Sequence, residues 1–126
     1  MHEPPHILII DADSSAASVT RTLVERVDPH AIVAVESTAE RGQLSALRHR
    51  PDILIIDPSP HNRSDEELVK QLKLHDPGVR IIVLTSSSTL LMRRRMDELG
   101  IDLYIEKLTA PTPLIDGLRS LLATRT

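Results

Sequence analysis

His6 to Asp11 reads HILIID, and Asp52 to Asp57 reads DILIID. Each is an unbroken apolar run, rich in β-branched residues, that stops on an acid. A short run of this kind, with no polar alternation, is the pattern of a strand buried on both faces, as in a parallel sheet. Three further runs share the pattern: AIVAVE ending at Glu36, RIIVLT ending at Thr85 and DLYIE ending at Glu106. The two copies of ILIID need no duplication to explain them. Two strands buried on both faces call for the same residue types.

Helix-period segments lie between the runs. Residues 14–27 place Ala16, Val19, Leu23 and Val27 on one face behind Ser14, a candidate N-cap. Residues 38–49 carry Ala39, Ala46 and Leu47 and end before Pro51. Residues 65–75 carry Leu68, Val69 and Leu72 and stop at the turn signal DPG. Residues 89–99 carry Met92, Met96 and Leu99, with Gly100 as a stop. Residues 112–123 carry Leu114, Ile115, Leu118, Leu121 and Leu122. The order is strand then helix, five times. Right-handed crossovers then cover both faces of a five-stranded parallel sheet, a doubly wound α/β fold of the flavodoxin-like class. Its ligand site is expected at the C-terminal ends of the strands. Residues 1–126 read as a single domain without a linker, and any output module is expected to lie outside it.

Composition narrows the function. The 126 residues are 40% apolar but include one Tyr, no Phe and no Trp, so the core is aliphatic. Without aromatics there is no platform for stacking bases, and a net charge of -3 gives no pull toward a polyanion. Direct nucleic-acid binding is therefore not expected. The absence of Cys excludes disulfides, zinc thiolates and thiol chemistry. The six His are scattered; His2 and His6 have helical metal spacing, but Pro4 and Pro5 lie between them. No apolar run approaches the ~20 residues of a membrane span, and MHEPPH lacks the basic start and apolar stretch of a signal peptide. A cytoplasmic protein with no membrane contact is the expectation.

The strand ends carry the chemistry. The first presents Asp11, with Asp13 two residues on; the third presents Asp57; the fourth Thr85 and Ser86; the fifth Lys107, after Tyr104. The second offers only Glu36 and Ser37. Clustered carboxylates repel one another and attract a hard cation such as Mg²⁺. A Lys adds positive charge and a Thr a hydrogen bond for phosphoryl oxygens, which leaves one Asp able to attack phosphorus.

With Asp11, Asp57, Thr85, Tyr104 and Lys107 on that frame, the chain resembles the CheY-like receiver domains of two-component response regulators over essentially its whole length. The resemblance implies a phosphorelay role. Asp57 would accept a phosphoryl group from a phosphohistidine on a sensor histidine kinase or phosphotransfer protein. Mg²⁺ would sit between Asp57, Asp11 and the backbone carbonyl of Ser59, with Asp13 a further candidate ligand. Thr85 and Lys107 would bind the phosphoryl oxygens. Movement of Thr85 would let Tyr104 turn inward and alter the surface of the fourth helix, fifth strand and fifth helix. Such a protein phosphorylates itself rather than turning over a substrate.

The chain departs from the family pattern at the site. Ala12 stands where a second acid usually follows Asp11, which predicts weakened Mg²⁺ binding. From Asp57 the chain reads DPSPHNRSD, with Pro58, an early Pro60, and Asp65 where the family tends to have Gly. Pro58 has no N–H to offer a phosphoryl group. Leu108 follows Lys107 in place of the usual cis-proline. A cis bond there would cost roughly 3 kcal/mol, so the Lys107 loop is expected to take another path.

Other readings stay open. A phosphorylation-impaired receiver would signal through binding alone. LIIDADSS also resembles the first motif of haloacid dehalogenase-like phosphatases, which would make Asp11 the nucleophile and Asp13 the acid/base. A scaffold or homodimer built on the fourth and fifth helices is a third class. At the level of single residues, Asp13 or Ser14 is expected to cap the first helix, Tyr104 to be half-buried, and Arg93, Arg94 and Arg95 to form a solvated face or a partner surface.

Overall fold

The computed structural model describes residues 3–59 and 63–124. His2, Pro60 and His61 lie outside the described residues, and so do the readings that involve them. The elements are β1 (His6–Ile10), α1 (Ser14–Val27), β2 (Ile32–Glu36), α2 (Ala39–Arg48), β3 (Ile53–Ile56), α3 (Ser64–His75), β4 (Arg80–Thr85), α4 (Leu90–Glu98), β5 (Leu103–Glu106) and α5 (Thr112–Ala123). All strands are parallel, in the order β2-β1-β3-β4-β5. The doubly wound fold expected from the pattern is the fold observed.

The two ILII segments lie side by side, in register. Ile7 pairs with Ile53, Leu8 with Leu54, Ile9 with Ile55 and Ile10 with Ile56. Alternate residues then feed opposite cores. Leu8, Ile10, Leu54, Ile56, Ile81 and Val83 pack with side chains from α2, α3 and α4. Ile7, Ile9, Ile53, Ile55, Ile82 and Leu84 pack with side chains from α1 and α5. Burial on both faces holds for β1, β3 and β4 but not for the sheet edges. β2 is only half-buried and β5 largely so, because each edge strand has a neighbour on one side only.

The helices follow the predicted spans to within a residue or two, but two faces differ from expectation. In α1 the buried residues are Ala17, Thr20, Leu23 and Val24, and Val19 is exposed. Thr20 can face the core because its hydroxyl donates to the carbonyl of Ala16. In α2 the buried set is Ala39, Gly42 and Ala46, while Leu47 is exposed. Gly42 is needed there: a Cβ would run into the Ile10 side chain, so α2 packs close to β1. Thr38 and Thr89 cap α2 and α4, and Gly100, at φ +80, turns the chain out of α4.

Candidate functional site

Strand parity decides which side chains meet. Asp11 follows Ile7 and Ile9, Asp57 follows Ile53 and Ile55, and Lys107 follows Leu103 and Ile105. All three therefore project toward the α1/α5 face at the C-terminal rim. Backbone hydrogen bonds extend the sheet to these positions: Asp57 N donates to the Ile10 carbonyl at 2.9 Å, and Lys107 N to the Thr85 carbonyl at 2.8 Å. The outcome is one constellation. Lys107 Nζ donates to Asp11 Oδ2 and to Asp57 Oδ2, at 2.7 Å each. Asp11 is buried, 6% exposed, and its other oxygen accepts the Asp13 N–H at 2.9 Å.

Burial by itself would lower the Lys107 pKa. The hydrogen bonds and charges of Asp11 and Asp57 outweigh it, and the ammonium is held above its ordinary range. The loop after Lys107 does differ from a cis Lys-Pro pattern. The cis bond is Ala110–Pro111, four residues on, and Leu108 points into solvent at 96% exposure. Lys107 reaches the acids all the same, because the register of β5 beside β4 sets its place.

Thr85 and Tyr104 have the opposite parity and point to the α3/α4 side. Thr85 is buried, and its hydroxyl accepts the Ser87 N–H at 3.1 Å. Tyr104 is half-buried, as expected for an edge strand, and its hydroxyl shares a 2.9 Å hydrogen bond with the Ser88 hydroxyl. Arg93 lies over the Tyr104 ring, 5.1 Å from its centroid. The arginine run is thus only partly a solvated face: Arg93 and Arg94 are exposed, Arg93 against the Tyr104 ring, while Arg95 is half-buried and pairs with Glu66 at 3.5 Å. Glu36 and Ser37 line a shallow depression beside Ala12 rather than joining the Lys107 constellation.

The remaining sequence candidates divide. Asp13 caps α1, its carboxylate accepting from Ser15 N at 3.0 Å and Ala16 N at 3.2 Å. The cap is Asp13 rather than Ser14, which is the first helical residue. Both cap bonds are made by one carboxylate oxygen, Oδ1. Ser59 sits in the loop after β3, its N–H donating to Asp65 Oδ2 at 2.7 Å. Asp65 stood out in the sequence only as a departure from the family pattern, with no role assigned to it. It is buried at 6% exposure in the first turn of α3. Burial is the main cause that raises its pKa; the Ser59 hydrogen bond opposes, and the charges of Glu40, Asp57 and Glu66 add to the rise. Only its unusual residue type at that position marked it.

A hydrated Mg²⁺ is commonly held by one or two carboxylates. Asp11 and Asp57 supply two, but the Lys107 ammonium lies between them. Among the described residues no group of three or more His, Cys, Asp or Glu gathers as a metal site. Asp11 and Asp57 thus match the one or two carboxylates that a hydrated Mg²⁺ commonly takes.

Comparison with known proteins places the chain in a family and a fold. The family model of the response regulator receiver domain matches residues 7–119. The chain is 28% identical over 119 residues to the nitrate/nitrite response regulator protein homolog of Haemophilus influenzae; the match covers 94% of this chain and 57% of that protein's length. In fold it is similar to a CheY-like receiver domain protein of Methanospirillum hungatei JF-1, with TM-score 0.81, 24% identity and coverage of 95% and 94% of the two chains. It is also similar to the signal receiver domain of a DNA-binding response regulator of Colwellia psychrerythraea 34H, with TM-score 0.85, 19% identity and coverage of 94% and 98%.

Proposed function

The chain belongs to the response regulator receiver domain family, and we propose that it is a phosphoacceptor, with Asp57 as the residue that carries the phosphoryl group. The observation behind this reading is the Lys107 ammonium, 2.7 Å from both Asp57 and Asp11. The ammonium places positive charge beside the carboxylate oxygens, where an incoming phosphoryl group would bring negative charge. An Asp57 oxygen attacks phosphorus, and the P–N bond to the imidazole of a partner histidine kinase or phosphotransfer protein breaks, its electron pair returning to the ring. Lys107 then offsets charge on the phosphoryl oxygens, and Thr85, buried at the end of the adjacent strand, would offer its hydroxyl. Asp11, Asp57 and the Ser59 carbonyl would hold Mg²⁺, which supplies further charge neutralisation when bound. Asp11 contributes negative potential that keeps Lys107 in place.

Acetyl phosphate with millimolar Mg²⁺ tests the assignment by intact mass. One phosphoryl group is expected on the wild type and none on Asp57→Asn. The absence of any mass gain on the wild type would overturn it.

A second reading has its own support: Ala12 leaves no second acid, and Asp13 is committed to the helix cap. In that case the domain signals by binding alone. Its partner affinity would then be the same for the wild type with and without acetyl phosphate and for Asp57→Asn.

A further inference from the structure

The loop after Asp57 breaks a pattern kept elsewhere in the chain. A side-chain oxygen at position i commonly accepts the backbone N–H of residue i+2. Asp11 accepts from Asp13, Asp13 from Ser15, Asp28 from His30, Asp76 from Gly78 and Thr85 from Ser87, at 2.9 to 3.1 Å. For Asp57 the corresponding donor is Ser59 N–H. It donates instead to Asp65, at 2.7 Å, closer than any of the five. Pro58 has no N–H, so Ser59 is the first backbone donor after Asp57.

We propose that Asp65 is a positioning residue that holds the Ser59 amide away from Asp57, and so withholds the nearest loop donor from an anion formed there. This rests on the phosphoacceptor reading. A phosphoryl oxyanion on Asp57 needs donors, and Lys107 is already shared between two carboxylates. The Asp65 carboxylate occupies the next donor in line. Phosphorylation adds negative charge at Asp57, which already acts on Asp65 through space. The added charge drives the amide to change partners, from Asp65 to the phosphoryl oxygen. Asp65 thus sets a threshold that the incoming group must overcome.

The test follows the Ser59 amide resonance of the ¹⁵N-labelled chain, first alone and then with beryllofluoride and Mg²⁺. Without the analogue, Asp65→Ala is expected to shift the Ser59 resonance and change its solvent exchange, while Asp57→Asn leaves the hydrogen bond in place. The reverse result overturns the proposal. With the analogue, Asp65→Ala is expected to bind about tenfold more tightly than the wild type, the scale of one charge-assisted hydrogen bond. Asp65→Asn, which removes the charge but keeps an acceptor, is expected to fall between them. Equal affinities for Asp65→Ala and Asp65→Asn would mean that charge alone acts, and wild-type affinity in both would mean that nothing is withheld; either overturns the proposal. Binding by none of the forms removes the phosphoacceptor reading instead. The amide comparison, which needs no analogue, then upholds or overturns the hold of Asp65 on Ser59.

Discussion

Lys107 ties together residues 96 and 50 positions away in the chain, Asp11 and Asp57. Its replacement by Met leaves two carboxylates facing each other without a cation. About a fifth of the Lys107 side chain remains in solvent, which screens the pair. The expected loss is therefore about 1–2 kcal/mol rather than the larger cost of a fully buried pair. The pH dependence has a definite sign. The folded-state pKa of Lys107 is raised, so its contribution is complete below the unfolded value near pH 10.5 and is lost as pH rises through the folded value. Denaturant titrations of the wild type and Lys107→Met should show a constant gap up to about pH 10, narrowing above it. A gap that widens at high pH would contradict the pairing. Asp11, Asp57 and Lys107 were legible in the sequence because each terminates or follows a strand, where parity and register are local rules. Asp65 was not. An acid in the first turn of a helix is ordinary on electrostatic grounds, and nothing nearby announces that it folds inward.

Among the elements, α1 bears most directly on the site, since Asp13 stands at its start. Two roles were open to that carboxylate, and they predict different variants. As a cap it contributes about 1 kcal/mol, lost in Asp13→Ala and largely kept in Asp13→Asn. As a metal ligand it would lose Mg²⁺ affinity in both. Thermal unfolding beside a Mg²⁺ titration separates them: the expected result is lower stability in Asp13→Ala and unchanged Mg²⁺ affinity in both variants. A matched fall in Mg²⁺ affinity in both would restore Asp13 to the metal site. The helix faces show where periodicity runs out. The α1 face rotates to include Ala17, Thr20 and Val24, and Leu47 of α2 faces out. Apolar spacing locates a stripe only to within about one residue when two adjacent stripes are both tolerable. The choice was made by docking, visibly so at Gly42, where the helix backbone approaches Ile10.

Across the whole molecule, the sheet separates two sets of residues. Asp11, Asp57 and Lys107 lie toward α1 and α5, while Tyr104 packs toward α4. The link between them is short: Lys107 N bonds to the Thr85 carbonyl, and the Thr85 hydroxyl engages the Ser87 amide, beside Ser88 and its bond to Tyr104. Tyr104 is the only Tyr and there is no Trp, so its fluorescence reports on this path alone. Beryllofluoride with Mg²⁺ is expected to change Tyr104 emission, and Arg93→Ala, which removes the cation over the ring, to alter the baseline. Unchanged emission at saturating analogue would sink the switch role of Tyr104.

The order of strands and helices, the buried character of β1, β3 and β4, and the acids at their ends were all present in the linear pattern. They depend on residue type at periods of two and 3.6, which neighbours along the chain enforce. The meeting of Lys107 with both carboxylates followed once the register was known. The Asp13 cap is local to the start of α1 and was expected, whereas the Asp65–Ser59 bond came from how α3 docks against the strand ends. That bond joins a side chain to a particular backbone amide, and a shift of one residue in helix rotation would undo it. No local period encodes that rotation; the packing of the whole core sets it.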